Sequence, residues 1–188
     1  MRPWRDFFPE LLPFVASDIP DPMLERQLLR SAQKFCETTR AWKVILDPII
    51  TIAGEKVYDI ELPSLTELVR LEDESKLDGQ HLTVWRAGAD DTKRFISTRD
   101  RKTVELSFSP SDDQEIVLVT TLKPSIDAFG VEDELFDQYS DVIADGAVAN
   151  INGDPIKKQE FKDRSNVIAT QIWRGSAAIK PRVHAHWF

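Results

Sequence analysis

The chain has 188 residues, with 24 Lys and Arg against 32 Asp and Glu for a formal net charge of −8, 41% hydrophobic residues and one cysteine. Such a balance belongs to a folded chain of one domain or one domain with an insertion, and the acidic excess argues against a surface that grips nucleic acid, because phosphate affinity comes from clustered Lys and Arg. The longest apolar runs, at 44–53 and 115–122, fall short of the roughly 20 residues that span a bilayer, and the lone Cys36 excludes an internal disulfide and leaves Cys-based zinc sites without ligands.

The opening Met1-Arg2-Pro3-Trp4-Arg5-Asp6 carries prolines and an acidic residue where a secretory leader needs an unbroken apolar stretch, so we expect none, and a reducing, intracellular place of synthesis. The segment from Trp4 to Val15 is rich in large apolar groups but broken by Pro9 and Pro13. It reads as an extended or short helical arm that must bury its aromatics, either on its own core or on a neighbouring subunit through Trp4, Phe7, Phe8 and Phe14.

Asp21 then suits an N-cap and Pro22 a first helical position, and Leu24, Leu28, Ala32 and Phe35 recur at helical spacing, with Leu29 and Cys36 widening the stripe. The helix is expected to end at Thr38 to Arg40, with Trp42 closing the core. From Val44 the period changes. Residues 49–53 and 56–60 read as a hairpin turning at Gly54, and 68–74 and 81–85 flank an Asp78-Gly79 step, the strongest short-range turn signal in the chain. Further strands are expected at 103–108 and 116–122, around a polar turn at 109–113.

After Lys123-Pro124 the helical period returns. Leu135, Phe136, Tyr139, Val142, Ile143, Gly146 and Ala147 share a face, with acidic residues crowding the first turns, where the helix dipole favours them. Asn152-Gly153-Asp154-Pro155 ends this helix and starts another, carrying Phe161, Ser165, Ile168 and Ile172 and stopping at Gly175. The tail contains Arg174, Lys180, Arg182, His184 and His186, no acid, and ends Trp187-Phe188.

The predicted class is α+β: a helical bundle of about three helices, an inserted small antiparallel β module (sandwich or partly open barrel) and an extended C-terminal tail. The arm and first helix fall in 1–43, the β module in 44–124, the remaining helices in 125–174 and the tail in 175–188.

No pattern for chemistry stands out. Nucleophile elbow, phosphate loop, dinucleotide fingerprint and zinc-protease helix are all absent, and the acidic runs sit in no acid/base motif. His184-Ala185-His186 is the only His cluster, and two ligands beside no matched carboxylate fall short of a metal site. The expectation is a non-enzyme with no cofactor and no metal. A metal-dependent hydrolase or nuclease, using scattered Asp and Glu with His184 and His186, is the alternative of another class. Cys36 reads as a small buried hydrophobe and not as a reactive thiol.

The order of segments carries a resemblance. An arm Phe7-Phe8-Pro9-Glu10-Leu11-Leu12-Pro13-Phe14-Val15 leads into a helix ending Arg30-Ser31-Ala32-Gln33-Lys34-Phe35-Cys36-Glu37-Thr38-Thr39-Arg40-Ala41-Trp42; a β module with Tyr58-Asp59-Ile60 and the Asp78-Gly79 turn follows, then two helices. This resembles the head-to-tail connector, or adaptor, proteins of tailed bacteriophages. The resemblance implies a structural virion protein at the capsid-tail junction: a ring, commonly of twelve copies, that docks beneath the portal, binds tail or nozzle proteins on its other face and lets DNA pass without specific binding. A tail-completion or other virion structural protein is the nearest alternative. In that setting Glu132, Asp133, Glu134 and Asp137 are candidates to face the channel. Ile179, Lys180, Arg182, His184, His186, Trp187 and Phe188 are candidates to dock on the portal or a neighbour, or else to fold onto the chain's own helices.

Overall fold

The computed structural model describes residues 1–86 and 94–176. The chain opens with strand β1 (Arg2–Pro3), a 3-10 turn over Trp4–Phe7, the short helix α1 (Phe8–Leu11) and a second 3-10 turn over Leu12–Phe14. The long helix α2 (Asp21–Thr39) leads into β2 (Lys43–Ile45), β3 (Ile49–Ile50), β4 (Val57–Asp59), β5 (Thr66–Leu71), β6 (Lys76–Leu77), β7 (Gln80–His81) and β8 (Thr83–Val84). Strands β9 (Phe95–Ser97), β10 (Thr103–Leu106), β11 (Glu115–Val117), β12 (Val119–Pro124) and β13 (Gly130–Val131) precede helices α3 (Asp133–Asn152) and α4 (Pro155–Ser176). The architecture is mixed α+β, as expected, and no barrel closes among the described residues.

Helix α2 forms where its period predicts. Leu24, Leu28, Leu29, Ala32, Phe35 and Cys36 are all buried, and Trp42 closes the core beyond Arg40, which takes a left-handed conformation at φ 58°. Asp21 is not the cap. The cap position is Pro20, Asp21 is the first helical residue, and its carboxylate lies 3.8 Å from Arg5. Helix α3 buries Leu135, Val142, Ile143 and Ala147 and stops at Gly153, whose φ of 67° suits glycine. Asp154 caps α4 instead, its Oδ1 accepting from the amides of Ile156 at 2.8 Å and Lys157 at 3.3 Å.

The strands exist, but three expected pairings do not. Gly54 does turn the chain at φ 84°, yet β3 pairs with β11 and β4 with β10. The reach of Tyr58 is the local cause: its hydroxyl donates to the carbonyl of Glu55 at 2.9 Å and accepts from the Ile52 amide at 3.2 Å, clasping a loop where a ladder was expected. The Asp78-Gly79 turn is present with φ 47° and 74°, as a two-residue primed turn requires, but joins β6 to β7, while β5 pairs with β12. Strands β10 and β11 enter different sheets. The orders are β2-β12-β5, β3-β11-β6-β7 and β4-β10-β9-β8, with β1-β13 apart, and the β8-β9 pair is parallel.

One hydrophobic core joins these layers, from Leu28 and Phe35 of α2 through Leu68, Leu118 and Leu122 of the sheets to Ile143 of α3. Fully burying each such side chain contributes on the order of 2 kcal/mol. Polar seams run between the layers. Ser31 Oγ donates to the Ile143 carbonyl at 2.7 Å, Gln33 Nε2 to the Pro124 carbonyl at 3.0 Å, and the Leu122 amide to the Trp42 carbonyl at 2.9 Å.

Gly146 permits the closest helix approach. A Cβ there would lie 2.7 Å from Cε2 of Phe161 on α4 and still nearer to Ser31 Oγ on α2. Gly146→Ala is therefore expected to destabilise the fold by about 1–2 kcal/mol in urea unfolding, because overpacking outweighs the roughly 1 kcal/mol that alanine adds to helix propensity. A stabilised variant would contradict this packing.

Candidate interaction surfaces

The N-terminal arm lies on its own chain. Trp4 and Phe7 are buried at 3% and 0% exposure, so assigning them to a neighbouring subunit is corrected. The cause is specific: Trp4 Nε1 donates to the Ala128 carbonyl at 2.8 Å, and Phe7 meets Phe136 edge-on with centroids 4.8 Å apart. Ser140 Oγ donates to Glu10 Oε1 at 2.9 Å and ties α1 to α3. Phe8 is half-buried against the same core. Of the four arm aromatics, Phe14 is the exposed one, at 57%, with the Lys157 ammonium 5.6 Å above its ring.

Glu132, Asp133, Glu134 and Asp137 are all exposed at the start of α3. Asp133 is engaged by the Met1 amino group at 3.1 Å and by Arg2 Nε at 3.7 Å, which pins the first residues of the chain to this helix. Glu134 Oε1 accepts from Gln138 Nε2 at 3.4 Å. The acidic patch is thus partly compensated.

Cys36 is fully buried, and its thiol pKa is pushed up to about 12, first by desolvation and then by the neighbouring Glu37 carboxylate. Among the described residues no three His, Cys, Asp or Glu side chains are grouped so as to hold a metal ion, and no helix is long and apolar enough to cross a membrane. His81 is exposed on β7. The expected docking residues Ile179, Lys180, Arg182, His184, His186, Trp187 and Phe188 lie outside the described residues.

Two clefts of opposite charge were not foreseen. One, of about 370 Å³, runs between β5 and the β8-β9 pair and is lined by Arg70, Arg86, Arg99 and Arg101 together with Trp85. Among the described residues, no carboxylate lines it. Arg70 is held from behind by Glu72, a buried carboxylate 3.3 Å from its Nε that also accepts from Thr121 Oγ1 at 2.6 Å. Burial of the Arg70 guanidinium lowers its pKa, and the Glu72 carboxylate acts in the opposite sense. The other cleft, of about 250 Å³, is lined by Leu46, Asp47, Pro48, Ile49, Asp59 and Glu61. No single segment contributes more than a few residues to either cleft, so linear charge runs in the sequence do not reveal them.

Large apolar side chains also remain exposed. Ile45, Ile50, Ile52 and Val57 are 50–69% exposed on or beside strands β2 to β4, and Ile126 and Phe129 flank a groove of about 440 Å³ along α2. In comparisons with known proteins, the sequence matches no family model and no curated relative.

The state of Cys36 yields a direct check. Thiol-reactive reagents attack the thiolate, so the folded chain at pH 8 is expected to resist Ellman's reagent and to react fully once unfolded in urea. Rapid labelling of the folded chain would contradict the burial.

Proposed function

We propose that this chain is a structural assembly protein: a head-to-tail adaptor of a tailed bacteriophage, one of a ring of about twelve copies beneath the portal that joins capsid to tail around the DNA channel. It works by packing against its own copies, the portal and tail or nozzle proteins, and not by turnover. The observation that carries this reading is the order of segments, in which a Pro-broken aromatic arm and a Pro-started helix ending at Trp42 precede a β module, and two helices follow. That order resembles the adaptor family over nearly the whole chain.

Surface chemistry supports the same reading. Apolar side chains stand exposed on several separate parts of the chain, including Ile45, Ile50 and Val57 on the β module, Ile126 and Phe129 beside β13, and Phe14 and Ile156 at the helical end. Apolar groups gathered in patches mark surfaces that other proteins cover, and a ring subunit has neighbours on both sides as well as above and below. A net charge of −8 per copy also suits a pore through which phosphates slide without sticking.

Co-sedimentation with purified portal rings tests the proposal. The full chain is expected to pellet with the portal, and a chain lacking residues 179–188 is expected to lose most of that binding, because Trp187, Phe188 and Arg182 are typical interface anchors. A full chain that binds isolated tails but not the portal would overturn the adaptor reading in favour of a tail-completion protein. Undiminished binding by the truncated chain would overturn the assignment of the tail as the docking element.

A further inference from the structure

We infer that neighbouring copies of this chain join head to tail through the two oppositely charged clefts of the β module, the arginine cleft of one copy receiving the Asp47, Asp59 and Glu61 surface of the next. The inference rests on the ring reading above and names the contact that would build it.

The topology places the two surfaces at opposite edges of the same sheets. In the order β2-β12-β5, β2 is one edge and β5 the other; in β4-β10-β9-β8, β4 and β8 are the edges. The acidic cleft is lined from the ends of β2 and β4 and the start of β3, whereas the basic cleft is lined from β5, β8 and the end of β9. At the usual strand spacing of about 4.8 Å, the two edges stand roughly 10–14 Å apart. Two different patches that complement each other across copies make a heterologous contact, which closes into a ring when the rotation allows it.

The charges are free to be used. Among the described residues, Asp47, Asp59 and Glu61 take part in no ion pair, and neither does Arg101. Arg99 pairs with Glu105 at 3.4 Å, and Arg86 pairs with Asp73; the Arg99 side chain is 86% exposed and the Arg86 side chain 50% exposed. Surface pairs of this kind contribute little to the fold, so redirecting them to a neighbour's carboxylates costs little. Arg70 is different, being fixed against the buried Glu72, and it anchors the floor of the cleft.

Apolar complementarity accompanies the charge. Ile45 of β2 is 69% exposed and Val57 of β4 is 50% exposed, on the two edge strands that lead into the acidic cleft. On the opposite edge, the half-buried Val69 and Val84 line the basic cleft beside Trp85. A charged rim around apolar contacts is the usual anatomy of a specific interface.

Sedimentation equilibrium of the full chain at low salt tests the inference with two double variants, Asp59→Lys/Glu61→Lys and Arg99→Glu/Arg101→Glu. All four positions are exposed, and circular dichroism melts check that the fold is retained. The natural chain is expected to self-associate, each variant alone to associate about tenfold more weakly or worse, and an equimolar mixture of the two to recover, because each then meets a complementary edge. Association that neither variant weakens would place the contact on another face, overturning this inference while leaving the ring reading to the portal experiment. A natural chain that stays monomeric at every concentration up to about 1 mM, the scale of the weakest specific contacts, would also overturn it. So would binding of duplex DNA that is lost in Arg99→Glu/Arg101→Glu while self-association is unchanged, since the arginine cleft would then serve nucleic acid.

Discussion

Helix α2 must be buried on two sides at once, and the rest of the structure depends on how that demand is met. A stripe through Leu24, Leu28, Ala32 and Phe35 is too wide for one partner once Leu29 and Cys36 join it. The β12 sheet covers part of it and α3 another part, with α4 reaching in where Gly146 allows a close approach. Because β12 lies between β2 and β5, the same packing fixes the position of the whole β module relative to the bundle. Seating Ser31 against the Ile143 carbonyl satisfies a hydroxyl that would otherwise be orphaned in this core.

The arm follows from the same constraint. Once α2 and α3 are packed, the region around Val131, Leu135 and Phe136 still needs cover, and Trp4, Phe7 and Leu11 supply it from the far end of the chain. The bond from Trp4 to Ala128 spans 124 residues of sequence. It holds the N-terminus beside the segment entering α3, with the Asp133 contacts to Met1 and Arg2 adding electrostatic ties. Material that composition alone marks as sticky is in this way largely used up inside the protomer. Apolar side chains that stay exposed include Phe14, Ile156, Ile126 and Phe129 beside the α2 groove, and residues on the edges of the β module.

Legibility in the sequence tracked the range of the interactions involved. The helices were readable because each is set by a period of its own and by local stop signals, so that the Asn152-Gly153-Asp154-Pro155 boundary fell where the backbone turns. The Asp78-Gly79 turn was readable for the same reason. Strand partnering was not, since strands of two to six residues specify little by themselves and each finds its mate across the module, as Ile49 does with Ile116. Expecting neighbours in sequence to pair therefore produced hairpins where the chain crosses between sheets. The destination of the arm and the two charged clefts were hidden by the same gap between sequence proximity and spatial proximity. Arg70, Arg86, Arg99 and Arg101 look like scattered surface charges until the β5 edge and the β8-β9 pair bring them to one cleft.

The proposed assembly role places the energetic weight on surfaces, where exposed apolar and charged groups stand. The direct test of the proposed adaptor role is electron cryo-microscopy of the chain incubated with purified portal rings. The account predicts a closed ring of copies seated on the portal, successive copies touching at the β module around an open pore. A solitary protomer bound to the particle, or a portal left bare, would contradict it.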